Sequence, residues 1–301
     1  MKALINALLL IFAIQCAMVV GLYWPDAGGA GARGSEQLLP FDVFFLDEIH
    51  IGDEQGREAV LLRAGDGWIL PDLGGLAVNP GLIEKLLRGV IEANPPWPVA
   101  QSVAARQRFQ LTDYNFLRRL TLIGHGELLG TLYLGSSPGF KKTHVRNSTQ
   151  DAIFTVSYNS VDASGIDADW LDRGLLQIPA PVSISTDAFS IEKRQNEWRT
   201  PSGQSPDTRE LNALLQALAT LQVQGVADED MRTTLSIAVP TLTLDIGSEQ
   251  GDVRYQLFTL GASHYIHASG QPLFFTLSGY SFDKFATVDA QRLGGAENHS
   301  D

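Results

Sequence analysis

The same succession of segments runs through this chain twice. In the first half, strand-like apolar runs at 41–51 and 59–62 end at Trp68. A helix follows: Asn79 is a good cap, Pro80 suits the first helical position, and Leu82, Ile83, Leu86, Leu87, Val90 and Ile91 form one stripe. Strands are predicted at 117–123, 128–134, 142–146 and 153–158, and a short amphipathic helix over 169–176 closes the half. In the second half, 182–184 and 189–193 alternate as strands and lead to Trp198. Asp207 with Glu210 makes an acidic variant of the capping box ahead of a stripe of Leu211, Leu214, Leu215, Leu218 and Leu221. Strands are predicted at 235–239, 242–246, 253–260, 263–267 and 273–277, followed by a short segment, 280–288, with Phe282 and Phe285.

Four local echoes keep the same order in both halves. Trp198 answers Trp68, 241–244 (TLTL) answers 120–123 (LTLI), 258–261 (FTLG) answers 132–135 (LYLG), and 274–277 (FFTL) answers 153–156 (IFTV). Each half then reads as strands, helix, antiparallel strands, helix, which is an α+β plan. Because alternating strands bury one face, helices are expected to cover that face of each sheet. The expected organisation is an N-terminal membrane anchor (1–24), a Gly/Ala-rich tether (25–40), a first α+β repeat (41–177), a second, divergent repeat (178–290) and a disordered tail (291–301).

The anchor rests on residues 3–23, which hold no charge. As a helix they would span about 31 Å, close to the hydrocarbon thickness of a bilayer. Tyr23 and Trp24 suit the membrane–water interface, and Lys2 on one side with only Arg33 on the other places the N-terminus in the cytoplasm and the body outside. The apolar core of a cleaved signal peptide runs about 7–15 residues, shorter than this one. The small residues at 27–32 leave cleavage after Ala30 or Ala32 open.

Charge and composition narrow the chemistry. Asp and Glu number 34 against 22 Lys and Arg, a formal net charge of −12, and a body so acidic would repel the phosphates of a nucleic acid. Cys16 is the only cysteine and lies in the apolar run, so the body has no disulfide, thiolate metal cluster or cysteine nucleophile. His264 and His267 stand three apart, but on a strand that spacing puts them on opposite faces. His125 lies in a Gly-His-Gly-Glu hairpin turn, with Gly124 and Gly126 supplying positive φ. The carboxylates Asp47, Glu48, Asp228, Glu229 and Asp230 read as solvated loop residues rather than as an acid–base pair or calcium ligands. Neither a nucleophile elbow nor a phosphate-binding loop is present. No catalytic, cofactor-binding or metal-ligating residue is therefore assigned. The one candidate contact is Trp97, in the stiff segment Pro95-Pro96-Trp97-Pro98, which either folds back over the first sheet, as most tryptophans do, or meets a partner.

The strand pair ending at Trp68, the capped helix from Asn79, the Gly130–Gly135 segment and the 169–176 segment carrying Trp170-Leu171-Asp172 ahead of Ile178-Pro179 together resemble the bacterial domain-of-unknown-function family 4340. The resemblance covers most of 41–200, with a weaker echo to about 290. It implies a membrane-anchored envelope protein found beside gliding-type ABC export systems, with a transporter permease or other envelope proteins as partners. It brings no catalytic residue. The expected function is a non-enzymatic, single-pass inner-membrane scaffold with a periplasmic body and no cofactor. The alternative is a periplasmic protein that binds a small molecule or lipid in the groove between repeats.

Overall fold

The computed structural model describes residues 38–294, together with Phe12 and Gln15. Apart from those two residues, the segment read as the anchor lies outside the described residues, among which no helix is long and apolar enough to cross a membrane. The fold is α+β, with two antiparallel sheets of eight strands each among the described residues.

In the first sheet, β1 (Glu48–Asp53), β2 (Glu58–Ala64), β3 (Gly67–Leu70) and β4 (Leu76–Ala77) precede helix α1 (Pro80–Leu86). After α2 (Val103–Arg108) come β5 (Arg118–Gly124), β6 (Glu127–Leu134), β7 (Thr143–Asn147) and β8 (Ile153–Val156), giving the order β4-β3-β2-β1-β5-β6-β7-β8. A single turn, α3 (Asp167–Trp170), leads to the second sheet. There β9 (Pro181–Ser185), β10 (Ser190–Arg194) and β11 (Glu197–Arg199) precede α4 (Thr208–Ala219), β12 (Gly225–Val226) and α5 (Glu229–Ile237). The chain ends through β13 (Leu242–Ser248), β14 (Gly251–Leu260), β15 (Ser263–Ala268), β16 (Phe274–Leu277), α6 (Gly279–Ala286) and α7 (Ala290–Leu293), and the strand order is β11-β10-β9-β13-β14-β15-β16-β12.

Walking across the ladders gives one mapping between the sheets. Trp68 faces Arg63 as Trp198 faces Lys193. Ile49 sits between Leu61 and Leu122 as Ile184 sits between Ile191 and Ile246. Leu120 with Leu132 matches Leu244 with Tyr255, and Leu134, Val145 and Phe154 in succession match Leu257, Ile266 and Phe275. Every inward member of this series from Leu120 onward is buried. Two of the sequence echoes fit the mapping, Trp68/Trp198 and 153–156/274–277. The other two are each three residues out, which places their side chains on the wrong face, because strand parity alternates.

The caps follow the sequence. The Asn79 side chain accepts hydrogen bonds from the N–H groups of Gly81 and Leu82, and the Asp207 side chain from those of Arg209 and Glu210. The reciprocal half of the capping box is not made: Glu210 accepts instead from the Asp289 N–H. The first helical stripe continues past α1 as a π-helical turn, Leu87–Ile91, burying Val90 and Ile91. One core runs through both halves, tied by Val223 N–H to Arg173 O and the Tyr255 hydroxyl to Leu176 O.

Several expectations are corrected. The first strand starts at Glu48, after a 3-10 turn at Val43–Phe45. The helix expected over 169–176 is the single turn α3, with Trp170, Leu171 and Leu176 buried around it. The strand expected at 235–239 is the end of α5, where Thr233 and Thr234 hydroxyls bond back to the carbonyls of Glu229 and Asp230 and the Asp228 side chain caps the start. Helices cover both faces: α2 and α5 lie on the side away from the main core, over clusters around Tyr133 and Ile153 and around Phe258 and Tyr265. Leu38 and Leu39, read as tether, are buried, and so is Leu293 of α7, read as tail.

Candidate interaction surface at the Trp97 end

Trp97 does not fold back over the sheet; it is 78% exposed. The chain places it beside β8, the edge strand of the first sheet. Val99 N–H bonds to Ile153 O and Ala100 bridges Ile153, fixing the proline-rich loop beside the start of β8. Apart from it, the turn joining β5 to β6, with Leu128 exposed after it, lies beside the 3-10 turn with Phe44 and Phe45 exposed. Phe45 meets the His125 ring edge-on across the turn. A hollow of about 260 Å³ opens among Leu38, Phe41, Val43, Ile91 and Asn94, so the chain enters the fold three residues in sequence from the Pro-Trp-Pro tip.

Two residues that sequence reasoning passed over hold this end rigid. Arg146 is buried and, among the described residues, pairs with no carboxylate; its guanidinium donates to the carbonyls of Leu111, Asn147, Ser148 and Gln150 and lies over the Tyr133 ring. Burial first, then the charge of Arg106, lowers its pKa from the ordinary arginine value. The buried Asn147 amide donates to Leu38 O at 2.9 Å and pins the incoming chain. Backbone acceptors leave no mark in a sequence, so neither role was legible there. Gly124 works by close approach rather than by positive φ: a Cβ there would stand 2.1 Å from Phe45 O, while His125 and Gly126 carry the turn's positive φ.

The other sequence candidates are scattered. His264 stacks on Phe282 of the main core, whereas His267 lies against Phe274 on the opposite face and hydrogen-bonds with Gln271 O. Asp47 accepts from the His125 N–H, Glu48 contacts His50, and Asp228 caps α5. His50 stands between Glu48 and Glu58, 2.5 and 3.5 Å away, partly exposed on the outer face. Among the described residues no group of three or more His, Cys, Asp or Glu is placed to hold a metal ion. Asp53 is the buried carboxylate of the first sheet. Burial works to raise its pKa, but Arg57 Nε at 2.6 Å and the N–H groups of Arg57 and Gln55 outweigh that and hold it below the ordinary value.

Three other hollows are open. One of about 580 Å³ on the outer face of the second sheet is polar, with Ser183, Ser185 and Ser269 around the Asp245–Arg254 pair. One of about 370 Å³ lies between Trp68 and α1. The third, about 190 Å³, is apolar, framed by Phe189, Leu214, Leu242, Leu244, Phe285 and Val288. Each is lined by residues of a single half.

A family model described as Domain of unknown function (DUF4340) matches residues 68–238, more than half of the chain. The chain belongs to that family. The DUF4340 match opens at the Trp68 of the ladder mapping and closes just past α5, so it takes in α1, the Trp97 loop and Arg146. No curated protein and no solved structure matches the chain.

Proposed function

We propose that this DUF4340 chain is a non-enzymatic scaffold of the bacterial envelope, held by its N-terminal apolar run in the inner membrane with a duplicated body outside the cytoplasm. An ABC export permease, or another envelope protein, is its partner. The observation that carries this reading is the pairing of an uncharged run at 3–23 with two sheets that share the order of seven strands, differing in the edge that β4 and β12 occupy, and whose carboxylates and histidines are spent on caps, turns and surface pairs. Such sheets make a rigid body that presents surfaces, and the exposed Trp97 supplies an apolar contact on it. Affinity purification from gently solubilised membranes tests it: a transporter permease is expected to co-purify. Release of the intact chain by carbonate without detergent would contradict it.

The second reading, an exported protein that binds a small apolar molecule, has the 190 Å³ hollow in its favour. That volume is of the size that takes a benzene-like group. A reproducible adduct in native mass spectra, lost on Leu244→Trp, would favour it.

A further inference from the structure

We propose that the apolar hollow beside the β9–β10 turn receives the end of a hydrocarbon chain whose head group carries no net negative charge. This seat rests on the second reading above, a binder of a small apolar molecule, and names the class of that molecule.

The two halves treat this place in opposite ways. In the first sheet Ile51 pairs with Ala59, and the hairpin runs on through Gly52 and Asp53. The extra length fills the space with polar groups. The Asp53 carboxylate is closed off from solvent and held by Arg57, and Arg118 beside it on β5 donates from Nε to Ala163 O at 2.6 Å. The loop behind them lies on the hairpin, since a Cβ on Gly165 would stand 2.8 Å from Arg57 O. In the second sheet the equivalent pair is Thr186 and Phe189, where the Thr186 N–H donates to Phe189 O at 2.8 Å across a two-residue turn. The hairpin stops there. Counted along the strands, Ala188 stands in the place of Asp53 and Leu242 in the place of Arg118. The hollow of about 190 Å³ replaces the polar plug, walled by Phe189, Leu214, Leu244 and Phe285.

No ionisable side chain lines it. Its two hydroxyls are already engaged: Thr186 Oγ1 accepts from the N–H groups of Ala188 and Phe189, and Thr241 Oγ1 from that of Thr259. An apolar occupant therefore leaves no polar group of the wall stranded. Residues 295–301, which follow Gly294 beside Phe189, hold one apolar side chain, Ala296, and supply no such plug.

Size and shape choose a chain over a ring. A cavity of about 150 Å³ holds the six carbons of benzene, so this one takes roughly seven or eight. The apolar surface continues past the mouth: just upstream of Thr241 come Val239 and Ile237, 88% and 86% exposed. A compact ring would leave both in water, whereas a chain buries its far end in the hollow and lays further methylenes along them.

Charge chooses the head. Asp187 lies in the turn itself, Asp289 falls between the wall residues Val288 and Ala290, and Glu210 accepts from the Asp289 N–H. With Asp207, these carboxylates outnumber the guanidiniums of Arg209 and Arg292 beside them. A carboxylate head would be repelled at the mouth, and an ammonium head attracted.

The test uses the full chain in phosphatidylcholine nanodiscs with three photoreactive probes: an octyl chain ending in a diazirine on a trimethylammonium head, the same chain on a carboxylate head, and a phenyl diazirine on a trimethylammonium head. Adducts are mapped by peptide mass spectrometry and normalised to those formed with the lipid. The octyl ammonium probe is expected to label 186–189, 241–244 and 285–290 several-fold more than the octyl carboxylate does. Ala188→Trp, at an exposed turn position, is expected to abolish that labelling, and Asp187→Lys to narrow the gap between the two heads. Labelling there by the phenyl probe but not the octyl ones would overturn the chain and leave the small-molecule reading standing. Equal labelling by both octyl heads would overturn the choice of head, and labelling that survives Ala188→Trp would overturn the hollow as the seat. No adduct in these segments from any probe would remove the small-molecule reading as well.

Discussion

The two sheets share every inward position of the ladder mapping but fill their outer faces differently. Where β6 runs out at Gly135, the mapping puts Phe258 of β14. A Cβ on Gly135 would meet Phe109 O at 1.9 Å, so the segment after α2 lies directly on the strand. At the matching place in the second sheet, Phe258 is buried against Leu235 of α5 and Tyr265, and its ring fills the space between helix and strand. His144 and Arg146 of β7 map onto Tyr265 and His267 of β15. The first sheet thus adds a close backbone contact and a buried cation to the ring packing under its outer helix, whereas the second relies on the rings of Phe258 and Tyr265. One strand order tolerates either solution, because the inward core sets the register and the outer face is free to differ.

Changes at these positions break that contrast in order of size. Phe258→Ala opens a cavity under α5 and is expected to cost about 4 kcal/mol in chemical denaturation. Gly135→Ala drives a methyl into a carbonyl and is expected to cost roughly 3 kcal/mol, with the loss of protection in hydrogen exchange concentrated at 103–111. A Gly135 variant as stable as the parent would show that the close approach is not real. Arg146→Met keeps the bulk but removes the donors of four carbonyls, those of Leu111 and Asn147 buried, and roughly 2–3 kcal/mol is expected, with the 147–150 turn the first segment to exchange.

The smallest effect is a pH dependence confined to the first sheet. Burial, then the charge of Arg108, holds the His144 pKa below its ordinary value, although the hydrogen bond between its Nδ1 and Ser136 O works to raise it. The unfolded chain therefore binds a proton that the folded chain resists. Stability is complete above pH 6.5 and falls as pH drops from there through the folded pKa. His144→Tyr, which installs the residue of the second sheet, is expected to remove that slope from melting temperatures taken between pH 7.5 and 5.5.

The parts of this fold legible in the sequence were those written in local signals. Asn79 and Asp207 before leucine stripes announced two helices, and the two tryptophans marked equivalent strands. Segment 235–239 misled because Ile237 and Val239 alternate like a strand, while the signal that decides it, the Asp228 cap with hydroxyl back-bonds, lies upstream. The shifted echoes misled because short apolar tetrapeptides match at either parity, and only cross-strand register tells the faces apart. At the Trp97 end the proline-rich loop was visible, but its exposure was not, since it depends on a bridge to Ile153 across more than 50 residues. Arg146 stayed hidden because all its acceptors are main-chain oxygens.

The central claim, an anchored chain whose paired sheets stand outside the cytoplasm, is tested most directly by the compartment of its C-terminus. Fused there, alkaline phosphatase is expected to be active in intact bacteria and green fluorescent protein to stay dark. A fluorescent fusion with an inactive phosphatase would put the body in the cytosol and contradict the account.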